Sequence, residues 1–264
     1  MDVTHHCTLA ADAAADTVAI EKATGVRFDE ARASAFAKGV AGDFNPIHDP
    51  GSKRFCVPGD LLFSVMLARY GAFEGTGVRF AGMLDAEVTL ALPAMAGGAV
   101  HVVDPRGREI LSFFGEGRKF DDASFVARLA LEYVRFSGRT FPEILVPLMR
   151  DADVMINPDR PLVIYKDMGL RIARESVGEL RLAPAGSELS VTGKKGVARL
   201  AFTVEDDAGA SDGPVAEGEK NLVLSGLRAW DAAAMDGVVS AYEARRGEFA
   251  DADGGDPHGR ALTR

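Results

Sequence analysis

The segment Gly59 to Tyr70 (GDLLFSVMLARY) constrains the fold more than any other stretch of the chain. Leu61, Leu62, Phe63, Val65, Met66 and Leu67 leave no polar face at helical spacing. A helix that is apolar all round must be enclosed by the rest of the protein. Its limits are legible: Pro58 and Asp60 suit a first turn, Arg69 suits a last turn, and Gly71 suits a stop. At 1.5 Å per residue such a helix threads about 18 Å of core. A chain of 264 residues with 47% hydrophobic content can surround it.

The flanking pattern predicts what does the surrounding. Apolar residues alternate at Leu84, Ala86, Val88, Leu90 and Leu92, then over 100–103 and 110–114, and again at Phe125, Ala127, Leu129, Leu131 and Tyr133. This period of two predicts strands. Ala96-Gly97-Gly98 and Asp104-Pro105-Arg106-Gly107 separate them as turns, giving an antiparallel meander. The order then recurs. The segment 141–149 (FPEILVPLM) is a second short apolar helix candidate, shortened or kinked by Pro147. Candidate strands follow at 162–165, 168–173, 189–192, 198–204 and 221–227. The expected layout is a flexible leader (1–16), a first half (17–139), a second half (140–242) and a disordered tail (243–264). A strand is expected from 17 to 22, and a helix capped by Asp29 runs through Ala31, Ala35, Phe36 and Val40.

Several function classes are excluded. A formal charge of −9 opposes binding to a phosphate backbone, and no basic cluster exceeds a pair. No signal peptide and no run of about 18 apolar residues is present, so a cytoplasmic protein with no membrane partner is expected. Two cysteines, Cys7 and Cys56, make no disulfide framework, and no Cys/His spacing suits a metal. The nucleophile elbow, the dinucleotide fingerprint, the Walker loop and H-E-x-x-H are all missing.

The remaining chemistry concentrates in the loop Gly42 to Arg54. His48 follows Asp43 by five positions, and Asn45-Pro46 fixes the backbone between them, so both side chains can converge on one water molecule. An Asp partly desolvated beside a buried helix gains basicity, and imidazole titrates near neutrality, so the pair suits proton transfer. The plainer reading is that Asp, Asn and Pro build a turn and that His48 is solvated. His101 sits on a strand where an edge or solvated face explains it, and Cys56 reads as a small buried apolar residue.

The segment AGDFNPIHDP resembles the D-x-N-P-x-H signature of MaoC-like (R)-specific enoyl-CoA hydratases and hydroxyacyl-thioester dehydratases. The chain also resembles a bacterial family sharing the phrase NPIHDP…KRFCVPGDLLF. The hydratase resemblance implies an α+β double hot-dog fold, with antiparallel sheet wrapped around a buried helix in each half. It implies a hydro-lyase acting at the 2,3 position of an acyl-CoA or acyl-carrier thioester, with no cofactor beyond the coenzyme A of the substrate; a homodimer is admitted. Asp43 and His48 would hold the water, and the Gly59 N–H at the helix start would bind the thioester oxygen. Asn45 would orient the loop or substrate, Ser64 would line the pocket, and Lys53 and Arg54 would contact phosphates or else form a solvated loop end.

Two departures stand out. Asp49 follows His48 directly, and Pro58-Gly59-Asp60 replaces the usual His-Gly-Met. Asp60 either caps the helix or points a carboxylate at the anionic intermediate. An acyl-CoA thioesterase using Asp60, or a non-catalytic acyl-thioester binder, are the alternatives.

Overall fold

A computed structural model describes residues 25–207 and 213–253. Asp29 caps α1 (Glu30–Ala35) as the sequence predicts, accepting from the Arg32 N–H at 2.7 Å. The helix then widens into a π-helical turn over Phe36–Ala41 and ends at Gly42, whose φ of 67° is left-handed. The expected strand at 17–22 lies outside the described residues, as does the leader 1–16.

The apolar segment forms α2 (Gly59–Tyr70), and nine of its side chains are buried: Asp60, Leu61, Leu62, Phe63, Ser64, Val65, Met66, Leu67 and Tyr70. From it the chain enters β1 (Ala72–Phe80), β2 (Ala99–Val103) and β3 (Glu109–Phe120), then α3 (Ala123–Arg139). A wide turn over Thr140–Leu145 leads to α4 (Val146–Asp151) and the short β4 (Val154–Met155). Four long strands follow: β5 (Val163–Ile172), β6 (Leu180–Thr192), β7 (Lys195–Asp206) and β8 (Ala216–Ser225). The two-residue β9 (Arg228–Ala229) pairs with β4, and α5 (Ala232–Asp253) completes the described fold.

Seven strands form one antiparallel sheet in the order β2-β3-β1-β5-β8-β7-β6. The sequence order recurs in the topology. After α2 the first strand pairs with the last of its series, β1 with β3, and the first long strand after α3 does the same, β5 with β8. The two series join where β1 meets β5, with Gly77 opposite Gly169. Gly77 is required there, because a Cβ would stand 2.5 Å from the Phe114 ring and 2.8 Å from the Met168 carbonyl. The helices α2 and α3 pack on each other through Phe63 and Tyr133, with ring centroids 5.0 Å apart. They reach the sheet through Phe63–Phe113 and Tyr133–Phe202.

Four sequence expectations need correction. Residues 125–133 form no strand; they lie within α3, whose buried Phe125, Leu129, Tyr133 and Phe136 follow helical spacing. Asp122 caps this helix, accepting from the N–H groups of Ser124 and Phe125. The intervening Ala, Arg, Leu and Glu are good helix formers, and that local preference outweighs an alternation helices can also produce. The second helix against the sheet is therefore α3, and the segment 141–149 is only its irregular continuation, with Pro147 in the first turn of α4. Residues 84–92 form no strand beyond a bridge between Leu90 and Val26, and Glu87 takes a left-handed φ of 64° incompatible with one. Finally, residues 243–253 continue α5 where a disordered tail is expected; residues 254–264 lie outside the description. No helix among the described residues is long and apolar enough to cross a membrane.

Candidate active site

The loop after α1 is shaped by its own hydrogen bonds. The Asp43 N–H closes back to the Ala37 carbonyl at 2.8 Å, and Asp43 Oδ1 accepts from the Asn45 N–H at 2.9 Å. Asn45 Oδ1 in turn accepts from the Ile47 N–H at 3.2 Å, capping the single 3-10 turn Pro46–His48. Asn45 thus holds the loop shape. The turn buries His48 to 8% exposure and directs Nδ1 onto the Cys56 carbonyl at 2.6 Å. A carbonyl only accepts, so Nδ1 carries a proton and Nε2 faces Asp43.

Asp43 Oδ2 and His48 Nε2 stand 3.6 Å apart. That is too long for a direct hydrogen bond and close enough for one water to contact both. Burial pushes the Asp43 carboxyl above the usual carboxylate range and the Asp60 charge adds to the effect, against the opposing pull of His48, the Asn45 N–H and Lys220. Burial also pushes the Cys56 thiol up to about 11, which leaves it protonated and unreactive at neutral pH. Its part in the site is the carbonyl that fixes His48.

Asp43, Asn45, His48 and Gly59 line one cavity of about 650 Å³, within the usual range for small-molecule sites. Its walls are mainly apolar, with Phe80, Leu84, Leu145, Ile156 and Leu222 among them, and α5 covers one side through Ala234, Gly237, Val238 and Ala241. Tyr242 on α5 steadies the loop that carries Asp43: its hydroxyl accepts from the Phe44 N–H and donates to the Gly42 carbonyl, both at 3.2 Å. Arg245, one turn further, pairs with Asp49 at 3.0 Å.

Gly59 opens α2 at the cavity wall. Its N-cap, Pro58, offers no side-chain acceptor, so the first N–H groups of the helix are uncapped. A Cβ at Gly59 would stand 3.0 Å from Tyr165 Cδ2 and 3.2 Å from Phe80 Cζ, so a larger residue at this helix start would press on both rings.

Asp60 takes neither of the two orientations expected for it. Only 2% exposed and outside the cavity wall, it receives Lys220 Nζ at 2.8 Å on Oδ1 and the Ser137 hydroxyl at 2.5 Å on Oδ2. Lys220 is fully buried; it also donates to the Tyr133 carbonyl at 2.8 Å and to Ser137 Oγ at 2.7 Å, and lies 4.1 Å from the Tyr133 ring centroid. Burial holds its ammonium below the usual lysine range while Asp60 pulls the other way. The negative charge that would have opposed an anion at Gly59 is thereby matched by an internal cation.

The other sequence candidates lie apart from this cluster. Ser64 is buried off the cavity, its hydroxyl donating to the Asp60 carbonyl at 2.8 Å. Lys53 and Arg54 are exposed in the loop and outside the cavity wall, where the cations are instead Lys166 and Arg245. His101 is exposed on β2 and bonds Glu109 at 3.0 Å. Lys220, Ser137 and Tyr165 escape a reading by motif. A signal for Lys220 exists, because on β8 it alternates with Leu222 and Leu224 and so falls on the buried face.

An Asp/His pair in a buried apolar cavity at a helix N-terminus defines a site suited to proton transfer on a small organic ligand. The chain belongs to the family described as "Protein of unknown function (DUF3581)", whose model matches residues 18–233. No curated protein matches it. Among solved structures it is similar to an acyl-CoA thioesterase II, TesB2, from Mycobacterium marinum, at 10% identity and a TM-score of 0.38 over 66% of this chain and 90% of that one. It is likewise similar to a tesB protein of Mycobacterium avium subs paratuberculosis, at 11% identity and a TM-score of 0.38 over 64% and 87%.

Proposed function

We propose that this protein is a hydro-lyase that adds water to, or removes it from, the 2,3 position of an acyl-CoA thioester, on a double hot-dog scaffold with one site per chain. The observation that carries the reading is the Asp43–His48 separation of 3.6 Å on the wall of a cavity that also contains Gly59. A water donating to Asp43 Oδ2 and His48 Nε2 turns its own lone pair toward the ligand. In hydration that oxygen bonds to C3 while its proton passes to Nε2. The π pair moves onto C2 and the thioester oxygen, where the uncapped Gly59 N–H receives the growing negative charge. The imidazolium, stabilised by the Asp43 carboxylate, returns its proton to C2, so H and OH are added and the pair is restored. No metal or redox cofactor enters this reaction, and coenzyme A takes part only within the substrate.

The strand order supports the two-half scaffold, since α2 with β1–β3 and α3 with β5–β8 repeat one topology. The second half supplies the cavity wall through Tyr165 and Leu222 but no second Asp/His pair. A thioesterase on this site would need a base other than Asp60, because that carboxylate is held by Lys220 and Ser137. The test is loss of enoyl absorbance with crotonyl-CoA and longer 2-enoyl-CoAs. Turnover abolished by Asp43→Asn and by His48→Gln supports the reading; absence of turnover across chain lengths, or unchanged turnover in both variants, overturns it.

A further inference from the structure

Beyond the Asp43/His48 pair, the cavity wall carries a hydroxyl whose proton is already assigned. Tyr165 on β5 lines the cavity, its ring lies against the Gly59 backbone, and its hydroxyl stands 2.7 Å from Ser137 Oγ. Distance alone does not say which oxygen donates. The buried ion pair does. Asp60 Oδ2 lies 2.5 Å from Ser137 Oγ, and two oxygens that close need a proton between them. Ser137 has one proton, and it donates that proton in a hydrogen bond to the carboxylate. Lys220 donates to Ser137 Oγ from another side at 2.7 Å, leaving that oxygen one further lone pair. Tyr165 must therefore donate to Ser137, and its own oxygen keeps only lone pairs for a further partner.

Two neighbouring side chains already use one polar atom each. Thr140 donates its proton to the Phe136 carbonyl at 3.1 Å, and Asn45 Oδ1 accepts from Ile47. Burial keeps the Tyr165 phenol well above the usual tyrosine range, so it stays neutral. Tyr165 is thus an acceptor held in one orientation, through Ser137, by the Lys220–Asp60 pair.

We propose that Tyr165 is a specificity-determining residue whose phenolic oxygen accepts a hydrogen bond from the 3-hydroxyl of a bound 3-hydroxyacyl thioester, so that the site favours hydroxylated over saturated acyl chains. The proposal rests on the hydro-lyase reading for the identity of the ligand. A pocket built to bond a ligand hydroxyl discriminates against the analogue that lacks it, because its buried polar group is then left unpartnered.

The experiment measures calorimetric affinities of 3-hydroxyacyl-CoA and of saturated acyl-CoA of equal length in a His48→Gln background, where turnover does not intervene. With Tyr165 in place the hydroxylated ligand is expected to bind more tightly. Adding Tyr165→Phe, which keeps the ring against Gly59, is expected to weaken that ligand about three- to ten-fold, the weight of one neutral hydrogen bond, and to leave the saturated ligand unchanged. Ser137→Ala, which returns the Tyr165 proton to the cavity, is expected to diminish the same preference. An unchanged preference in Tyr165→Phe, or equal weakening of both ligands, overturns the proposal while leaving the hydro-lyase reading standing. Failure of both ligands to bind the parent overturns both.

Discussion

Replacing Lys220 by Met tests the buried ion pair that the sequence does not reveal. Met fills much of the same volume but removes three hydrogen bonds, to Asp60, Tyr133 and Ser137. Asp60 then remains only 2% exposed with Ser137 as its remaining side-chain donor. Breaking one side of a buried pair costs about 3–5 kcal/mol, a large part of the roughly 5–15 kcal/mol that holds a domain folded. In Asp60→Leu/Lys220→Met no charge is stranded, Ser137 keeps its hydrogen bond to Tyr165 and the Tyr133 carbonyl keeps its place inside α3, so the residual cost is about 1–3 kcal/mol. The double variant should therefore be about 2 kcal/mol more stable than Lys220→Met alone. Urea unfolding followed by circular dichroism measures this, provided the slopes agree. A single variant within about 1 kcal/mol of the parent, or a double variant no better than the single, would refute the assignment of a charged, mutually dependent pair.

The remaining expectations concern the site and its supports. Asp43 has a folded-state pKa raised above its unfolded value, so its contribution to stability is present in acid and is lost as pH rises through the folded value; Asp43→Asn should therefore melt higher than the parent at neutral pH, and the difference should vanish in acid. The same shift should place the acid limb of activity above the ordinary Asp range, as read from kcat/KM against pH. Gly138→Ala drives a Cβ to 2.6 Å from the Ala41 carbonyl and 2.7 Å from that of Gly42, so it should destabilise by about 1–3 kcal/mol in urea unfolding and displace Asp43. Gly237→Leu meets no heavy atom within 4 Å at Cβ and projects from a cavity-lining position, so it should leave melting nearly unchanged while selectively impairing longer acyl chains in a chain-length series.

The helix that dominates the sequence is also the one that organises the structure, because an all-round apolar segment admits only a buried place. Asp43, Asn45 and His48 were legible for a related reason. Their loop is shaped by neighbours within a few positions, through the Asn45 caps and the short Pro46–His48 turn. What eluded the sequence is long-range. Asp60 and Lys220 are 160 positions apart, and only the packing of α2, α3 and β8 brings them together. The misreading of 125–133 has a different origin: alternate apolar residues satisfy a period of two and also part of a helical face, and burial on one side decides between them. The tail 243–253 carries few apolar residues, yet Phe249 packs against Phe44 and Tyr242 bonds the Gly42 carbonyl, so a few anchors order a helix that composition alone does not announce.

The most direct test of the Asp43/His48 account follows the oxygen atom. Incubation of a 2-enoyl-CoA with the protein in water enriched in ¹⁸O, analysed by mass spectrometry, reports where the new oxygen goes. Label at C3 of a 3-hydroxyacyl-CoA, formed by the parent and lost in His48→Gln, is the expected result. Label in a free carboxylate with release of coenzyme A thiol, or no label in any product, would contradict it.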